Sequence, residues 1–200
     1  MPISKSAALA TLMVLGLGAA TLPKAEAAYT AYLYDSGADV LATGSGSLDL
    51  DGLTFGTTLA GVGSILPKFG LINIGVGSTD IYRSISGPSS FGSGPHTDAS
   101  SSNGGFTGVN GDGSSLALFV PHAYVSGTSF SSSSSWDGTT LASLGATPGI
   151  YTLTWGSDAT ADSFTLDIGD APPSGVPEPA SGVLLLGALG VLGLARRSRG

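Results

Sequence analysis

Ile150-Tyr151-Thr152-Leu153-Thr154-Trp155, answered after a polar break by Ser163-Phe164-Thr165-Leu166-Asp167-Ile168, is the stretch that decides the fold class. The first run alternates with period two and puts Tyr151, Leu153 and Trp155 on one face. The second puts Phe164, Leu166 and Ile168 on one face. Successive strand side chains point to opposite sides, so two such runs make a hairpin whose apolar faces share a core. Pro148-Gly149 turns the chain into the hairpin, and Gly156 to Asp162 loops between its arms.

Working upstream, the same texture recurs. Tyr29 to Tyr34 alternates tyrosine with smaller residues. Asp39 to Thr43 and Ser45 to Leu50 read as two short strands, followed by an Asp51-Gly52 turn and Leu53-Thr54-Phe55. Leu71 to Val76 and Leu116 to Val120 are further apolar runs, the latter stopped by Pro121, and Tyr124 to Phe130 reads as another strand. Ser86 to Gly113 is dominated by Gly, Ser, Asn and Asp and reads as one long loop region. Thr139 to Leu144 reads as at most one short helical turn. The expectation is an all-β domain over residues 28–169: an antiparallel β-sandwich, or its jelly-roll variant.

Composition narrows the class. Glycine supplies 32 of 200 residues without a three-residue period, and only 10% of residues are charged. That excludes collagen and differs from the highly charged texture of disordered chains. Twelve Asp lie between Asp35 and Asp170, against only Lys68 and Arg83, which leaves the body near −10. An acidic body disfavours nucleic acid and anionic membrane surfaces as partners. The chain has no Cys, so disulfides and thiolate metal sites are excluded.

The two ends carry addresses. Lys5, the uncharged run Ala7 to Leu22, Pro23 and the small residues Ala25 and Ala27 read as a signal peptide over 1–27, cut between Ala27 and Ala28. Its partners would be the Sec machinery and signal peptidase. At the other end, a linker over 170–175 leads to Val176-Pro177-Glu178-Pro179. Sixteen uncharged residues follow, Ala180 to Ala195, and then Arg196, Arg197 and Arg199. Sixteen helical residues span roughly 24 Å, short of the roughly 30 Å hydrocarbon core, a gap that snorkelling arginines and slight thinning can close. The span 180–195 is thus expected to be a transmembrane helix. By the positive-inside rule the arginines stay cytoplasmic and the body lies outside, as the signal peptide also requires.

This tail, residues 176–200, resembles the PEP-CTERM sorting signal of Gram-negative bacteria: Pro-Glu-Pro, apolar span, Arg cluster. The resemblance implies exosortase, a membrane-embedded cysteine protease-transpeptidase, as a partner. It makes Pro177, Glu178 and Pro179 the recognition motif, held in register by the span and arginines. The prolines also keep Glu178 extended and unable to join a helix. The alternative is a plain stop-transfer anchor. The body is similar to a globular region that recurs in PEP-CTERM proteins. The similarity rests on Phe91-Gly92-Ser93-Gly94, on Pro121 with Tyr124-Val125-Ser126-Gly127, on Ala142-Ser143-Leu144-Gly145, and on Thr147 to Tyr151 leading into Trp155-Gly156. No activity comes with that similarity.

No catalytic constellation stands out. His96 and His122 lack an H-x-x-x-H or Cys partner, so surface or hydrogen-bonding roles are the simpler reading. There is no G-x-S-x-G elbow, P-loop or G-x-G-x-x-G. Asp49 and Asp51 would share a face if they lay in a strand, and paired carboxylates serve glycosidases; a turn at Asp51-Gly52 is simpler. Asn110-Gly111-Asp112-Gly113 faintly resembles a calcium loop, with Asp98 and Asp112 as candidate ligands. Tyr32, Tyr34, Tyr124 and Trp136 are candidates for stacking on sugars if exposed, and core residues otherwise.

The expectation is an exported, non-enzymatic surface or extracellular-matrix protein with no catalytic, cofactor or metal site assigned. Its precursor would be anchored in the inner membrane, and its mature form would reach the cell surface or medium. The resemblance implies association with exopolysaccharide. The alternatives are a secreted carbohydrate-binding protein or glycan-active enzyme, and a permanently anchored membrane protein.

Overall fold

The computed structural model describes residues 28–111 and 116–173. Eleven strands run through them. They are β1 (Ala28–Ser36), β2 (Asp39–Gly46), β3 (Thr54–Leu66), β4 (Leu71–Arg83), β5 (Thr97–Asp98) and β6 (Ser101–Gly104). The rest are β7 (Thr107–Asn110), β8 (Ala117–Pro121), β9 (Phe130–Trp136), β10 (Gly149–Trp155) and β11 (Asp162–Ile168). One sheet has six strands in the order β10-β11-β1-β2-β9-β6, and the other has five in the order β5-β3-β4-β7-β8.

The two sheets face each other across a shared apolar core. Tyr29, Leu33, Val40, Trp136, Phe164 and Leu166 come from the first sheet, and Ile65, Ile72, Ile74, Val109, Leu118 and Val120 from the second. The all-β expectation holds. The decisive hairpin forms as read, with Leu153 and Trp155 buried on β10 and Phe164, Leu166 and Ile168 buried on β11. Tyr29 stacks between Phe130 and Phe164, with ring centroids 4.7 and 5.5 Å away.

Several expectations need correcting. The fold is not purely antiparallel, because β1 and β11 pair in parallel, Ala28 opposite Ser163 and Leu33 opposite Ile168. Pairing the two ends of the domain side by side needs no tight turn, so no local signal announces it. Ser45 to Leu50 is not a separate strand; β2 runs through to Gly46. Tyr124 to Thr128 forms no strand but an irregular segment with a turn at Ser126-Gly127, and the strand there is the serine run Phe130–Trp136. The supposed loop 86–113 contains β5, β6 and β7. Thr139 to Leu144 does make a single turn, closed by the Leu144 N–H donating to Thr140 O at 2.9 Å.

Three of the four motifs that prompted the similarity of the body meet in space. Ser93 N–H donates to Gly145 O at 3.0 Å and Thr147 N–H to Phe91 O at 2.8 Å. A Cβ at Gly94 would lie 1.8 Å from Leu144 O, so only glycine admits this approach. The Phe91 ring meets Tyr151 at 5.7 Å. The fourth motif locks elsewhere: the Tyr124 hydroxyl accepts from Leu48 N–H at 2.9 Å, and Gly127 N–H donates to Leu48 O.

Burial on the decisive hairpin sets a stability test. Phe164→Ala, at a fully buried site, is expected to cost about 3–5 kcal/mol in denaturant unfolding. Ile150→Ala, on the exposed side of the same hairpin, should stay within about 0.5 kcal/mol of the parent.

Candidate functional site

The serine run gives strand β9 two different faces. Ser132 and Ser134 are buried, while Ser131, Ser133 and Ser135 point out of the sandwich. Period two in a homopolymer leaves no hydrophobic trace, yet the sheet ladder still assigns every second hydroxyl to each side.

On the outer face of the six-stranded sheet lies a groove of about 310 Å³ lined by Tyr32, Thr43, Gly44, Ser45, Asn103, Ser131, Ser132, Ser133 and Pro172. Register explains its shape. Tyr32 lies opposite Thr43, Thr43 opposite Ser133, and Ser133 opposite Asn103. This row crosses four adjacent strands, about 14 Å at the usual strand spacing. The lining offers hydroxyls, an amide and one aromatic ring, and no charged side chain. Beyond Tyr32 the row continues to Asp167 and Ile150. Of the sugar-stacking candidates, Tyr32 lies in the groove, and Tyr34 is half-buried on the same face of β1. Trp136 is 2% exposed and donates its indole N–H to Thr97 O at 3.2 Å, which removes it as a stacking platform. Tyr124 is tied to Leu48 and Thr128 and packs against Phe130.

A second polar cluster lies on the other sheet. Asp80 on β4 accepts from Thr58 Oγ1 of β3 at 2.6 Å and from Ala123 N–H at 3.2 Å, and its Oδ1 lies 2.9 Å from His122 Nδ1. Ala123 sits at φ 59°, a left-handed conformation tied down by that backbone bond. Burial pushes the Asp80 carboxyl up, but the bonds from Thr58, His122 and Ala123 outweigh it and hold the group below the ordinary carboxylate range. A nucleophilic relay needs a hydroxyl donating to imidazole. Here the hydroxyl of Thr58 donates to the carboxylate instead, so the cluster reads as a clasp.

The remaining candidates disperse. Asp49 and Asp51 do not share a strand face. They lie outside any strand, and Asp51 N–H donates to Asp49 Oδ1 at 3.1 Å. Asp49 binds Ser126 Oγ through the same oxygen and accepts the Trp155 indole N–H on its carbonyl at 2.7 Å, joining three segments. His96 Nε2 lies 3.7 Å from the exposed Asp98 carboxylate. Among the described residues no three His, Cys, Asp or Glu side chains converge on a metal site. Asp112 lies outside the described residues. So do residues 1–27, read above as a signal peptide, with Ala25 and Ala27, and residues 174–200 with Pro177, Glu178, Pro179, Arg196, Arg197 and Arg199. Among the described residues no helix is long and apolar enough to cross a membrane, and the span 180–195 is not among them.

The described residues therefore define an all-β, two-sheet domain with a neutral, hydroxyl-lined groove. Beyond it, residues 175–199 match the family model of the PEP-CTERM protein-sorting motif, as expected of a PEP-CTERM sorting-domain protein. This motif is the recognition signal for exosortase processing and implies a protein sorted to the cell surface. It also suggests an exported, membrane-anchored precursor. No curated protein and no solved structure matches the chain.

The clasp makes a pH prediction. A carboxyl whose folded pKa is depressed contributes stability above its unfolded value, about 3.9, and loses it as pH falls through the folded value. Asp80→Asn should therefore melt below the parent at pH 7. The gap in melting temperature should shrink as pH drops below about 4, in thermal scans across pH.

Proposed function

We propose that the chain is a non-enzymatic surface protein whose six-stranded sheet holds extracellular polysaccharide in the groove beside Tyr32. The single observation that carries this reading is the lining: a row of hydroxyl and amide groups ending in an aromatic ring, without a charge. Sugars present hydroxyls that exchange hydrogen bonds with such groups, and an apolar ring face that packs on tyrosine. Hydrolysis needs two carboxylates flanking the scissile bond, and the lining contains none, which favours binding over cleavage. The body's charge near −10 favours a neutral glycan over an acidic one.

In this reading the signal peptide is removed at Ala27–Ala28, and the span 180–195 holds the precursor in the inner membrane. Exosortase then acts at Pro177-Glu178-Pro179, delivering the body to the cell surface or the matrix. Surface delivery and retention of polysaccharide fit together, because a matrix protein must be exported before it meets its polymer.

Two measurements check this. Tyr32→Ala should weaken binding of the exported protein to neutral polysaccharide about tenfold, roughly 1.4 kcal/mol, in affinity electrophoresis at unchanged melting temperature. Equal mobility of parent and variant would remove the groove from the account. Mass spectrometry of surface material should find no peptide containing Arg196 to Gly200, and Glu178→Ala should leave such peptides in the membrane fraction.

A further inference from the structure

The edges of the two sheets are not equally protected. In the six-stranded sheet, β6 is only four residues long. β10 is bridged by Ser86, which exchanges two backbone bonds with Thr154 at 2.9 and 2.8 Å. In the five-stranded sheet, β7 and β8 pair with each other and both with β4, so that side closes on itself. The opposite side is β3. Its last part is covered, since Ser64 and Ile65 pair with β5 and Gly63 O accepts from Ala99 N–H. Among the described residues no strand pairs the outer edge of Thr54–Val62.

That edge carries neither charge nor proline, and its bulges lie only near its ends. Thr54-Phe55-Gly56-Thr57-Thr58-Leu59-Ala60-Gly61-Val62 contains no charge and no proline, in a body carrying twelve Asp. Phe55, Leu59 and Val62 are 55%, 39% and 50% exposed. Register shifts at Phe55/Thr57 and Val62/Ser64 bracket a regular stretch from Thr57 to Val62. Monomeric sheet proteins blunt such edges with charges, prolines or a covering segment, because unpaired N–H and C=O groups template another strand.

We propose that Thr54–Val62 pairs antiparallel with the same strand of a second copy, joining two five-stranded sheets edge to edge across a two-fold axis. The occupant follows from the edge itself. An antiparallel pair of identical strands satisfies each copy's free donors and acceptors with the other's. An uncharged segment meets no like-charge penalty against itself, whereas the rest of the acidic body would repel its copy. A single strand pair is a small interface, so association in dilute solution is weak. Confinement of precursors on one membrane raises their effective concentration.

The absence of cysteine from the chain allows a direct test. Single-cysteine variants Thr57→Cys, Thr58→Cys, Leu59→Cys and Ala60→Cys are exported from cells as full-length chains and exposed to a mild oxidant. Val125→Cys, 70% exposed in a turn, serves as the control. Only the residue on the two-fold axis faces itself at disulfide distance. The expected result is a covalent dimer that peaks at one edge position, falls at its neighbours and is absent at Val125. Adding Thr54→Lys to the best variant should cut the dimer at least fivefold without changing the melting temperature. No dimer at any edge position, equal dimer at Val125, a lysine variant that cross-links as well, or an adduct heavier than a dimer would each overturn self-pairing.

Discussion

Serine hydroxyls of one sheet bond directly to glycine backbone of the other, and the sandwich depends on that close approach. Gly75 N–H of β4 donates to Ser134 Oγ at 3.1 Å, and Gly63 N–H of β3 donates to Ser102 Oγ at 3.2 Å. The two hydroxyls lie 2.8 Å apart. A Cβ at Gly63 would fall 2.2 Å from Ser134 Oγ, so any larger residue would push the sheets apart. Nearby, Ser132 Oγ donates to Gly105 O at 2.5 Å. Buried backbone donors must find partners. At bulges that break the ladder of β3 and β4, the facing sheet supplies them through its serines. The high Gly and Ser content is thereby a packing requirement, which distinguishes this chain from a flexible Gly/Ser linker.

The same run supplies the groove. Alternation sends Ser132 and Ser134 inward to join the sheets and Ser131, Ser133 and Ser135 outward. Because the ladder fixes β9 between β2 and β6, the outward hydroxyls are held in register with Thr43 and Asn103. Their backbone is immobilised by the core junction on its other side, so a bound polymer would not bear the cost of ordering it. A one-residue slip of β9 would exchange the two serine sets at no chemical difference. Trp136, buried at the end of the run, and Phe130 at its start prevent this, since a slip would turn the indole to solvent.

How far the sequence could be read depended on whether polarity alternated. β10 and β11 alternate apolar and polar residues, and both were readable to within a residue or two. Ser131 to Ser135 has the same geometry with one residue type on both faces, so only its flanking aromatics mark it. β3 was readable only at its start, because Thr54 to Val62 is exposed on both faces and so has no reason to alternate. β5, β6 and β7 are two to four residues long, below the length at which a period can be detected, and tertiary pairing creates them. Of the candidate site only Tyr32 was legible, as one of four aromatics. Its partners Thr43, Ser133 and Asn103 come together through pairing of distant strands. The clasp at Asp80 was equally hidden, since Thr58, Asp80 and His122 stand on separate elements.

The parallel pairing of β1 with β11 ties the groove to the sorted tail. Because the two strands run the same way, Ala28 and Gly169 lie at opposite ends of the sheet, about 20 Å apart at the rise of a strand. Gly169 N–H donates to Leu33 O at 2.9 Å, which fixes the departure of the chain beside β1. From there the segment turns over the outer face, and Pro172 becomes part of the groove wall. Proline has few backbone conformations to lose, so it forms that wall at small entropic cost. The tail that addresses the protein therefore begins three residues after Pro172, at the start of the matched segment Gly175 to Arg199. A pull transmitted through Pro172 reaches the groove wall directly and Ala28 only across the length of the sheet. An antiparallel pairing of the terminal strands would have reversed that arrangement, placing the chain's departure at Gly169 at the end where Ala28 begins.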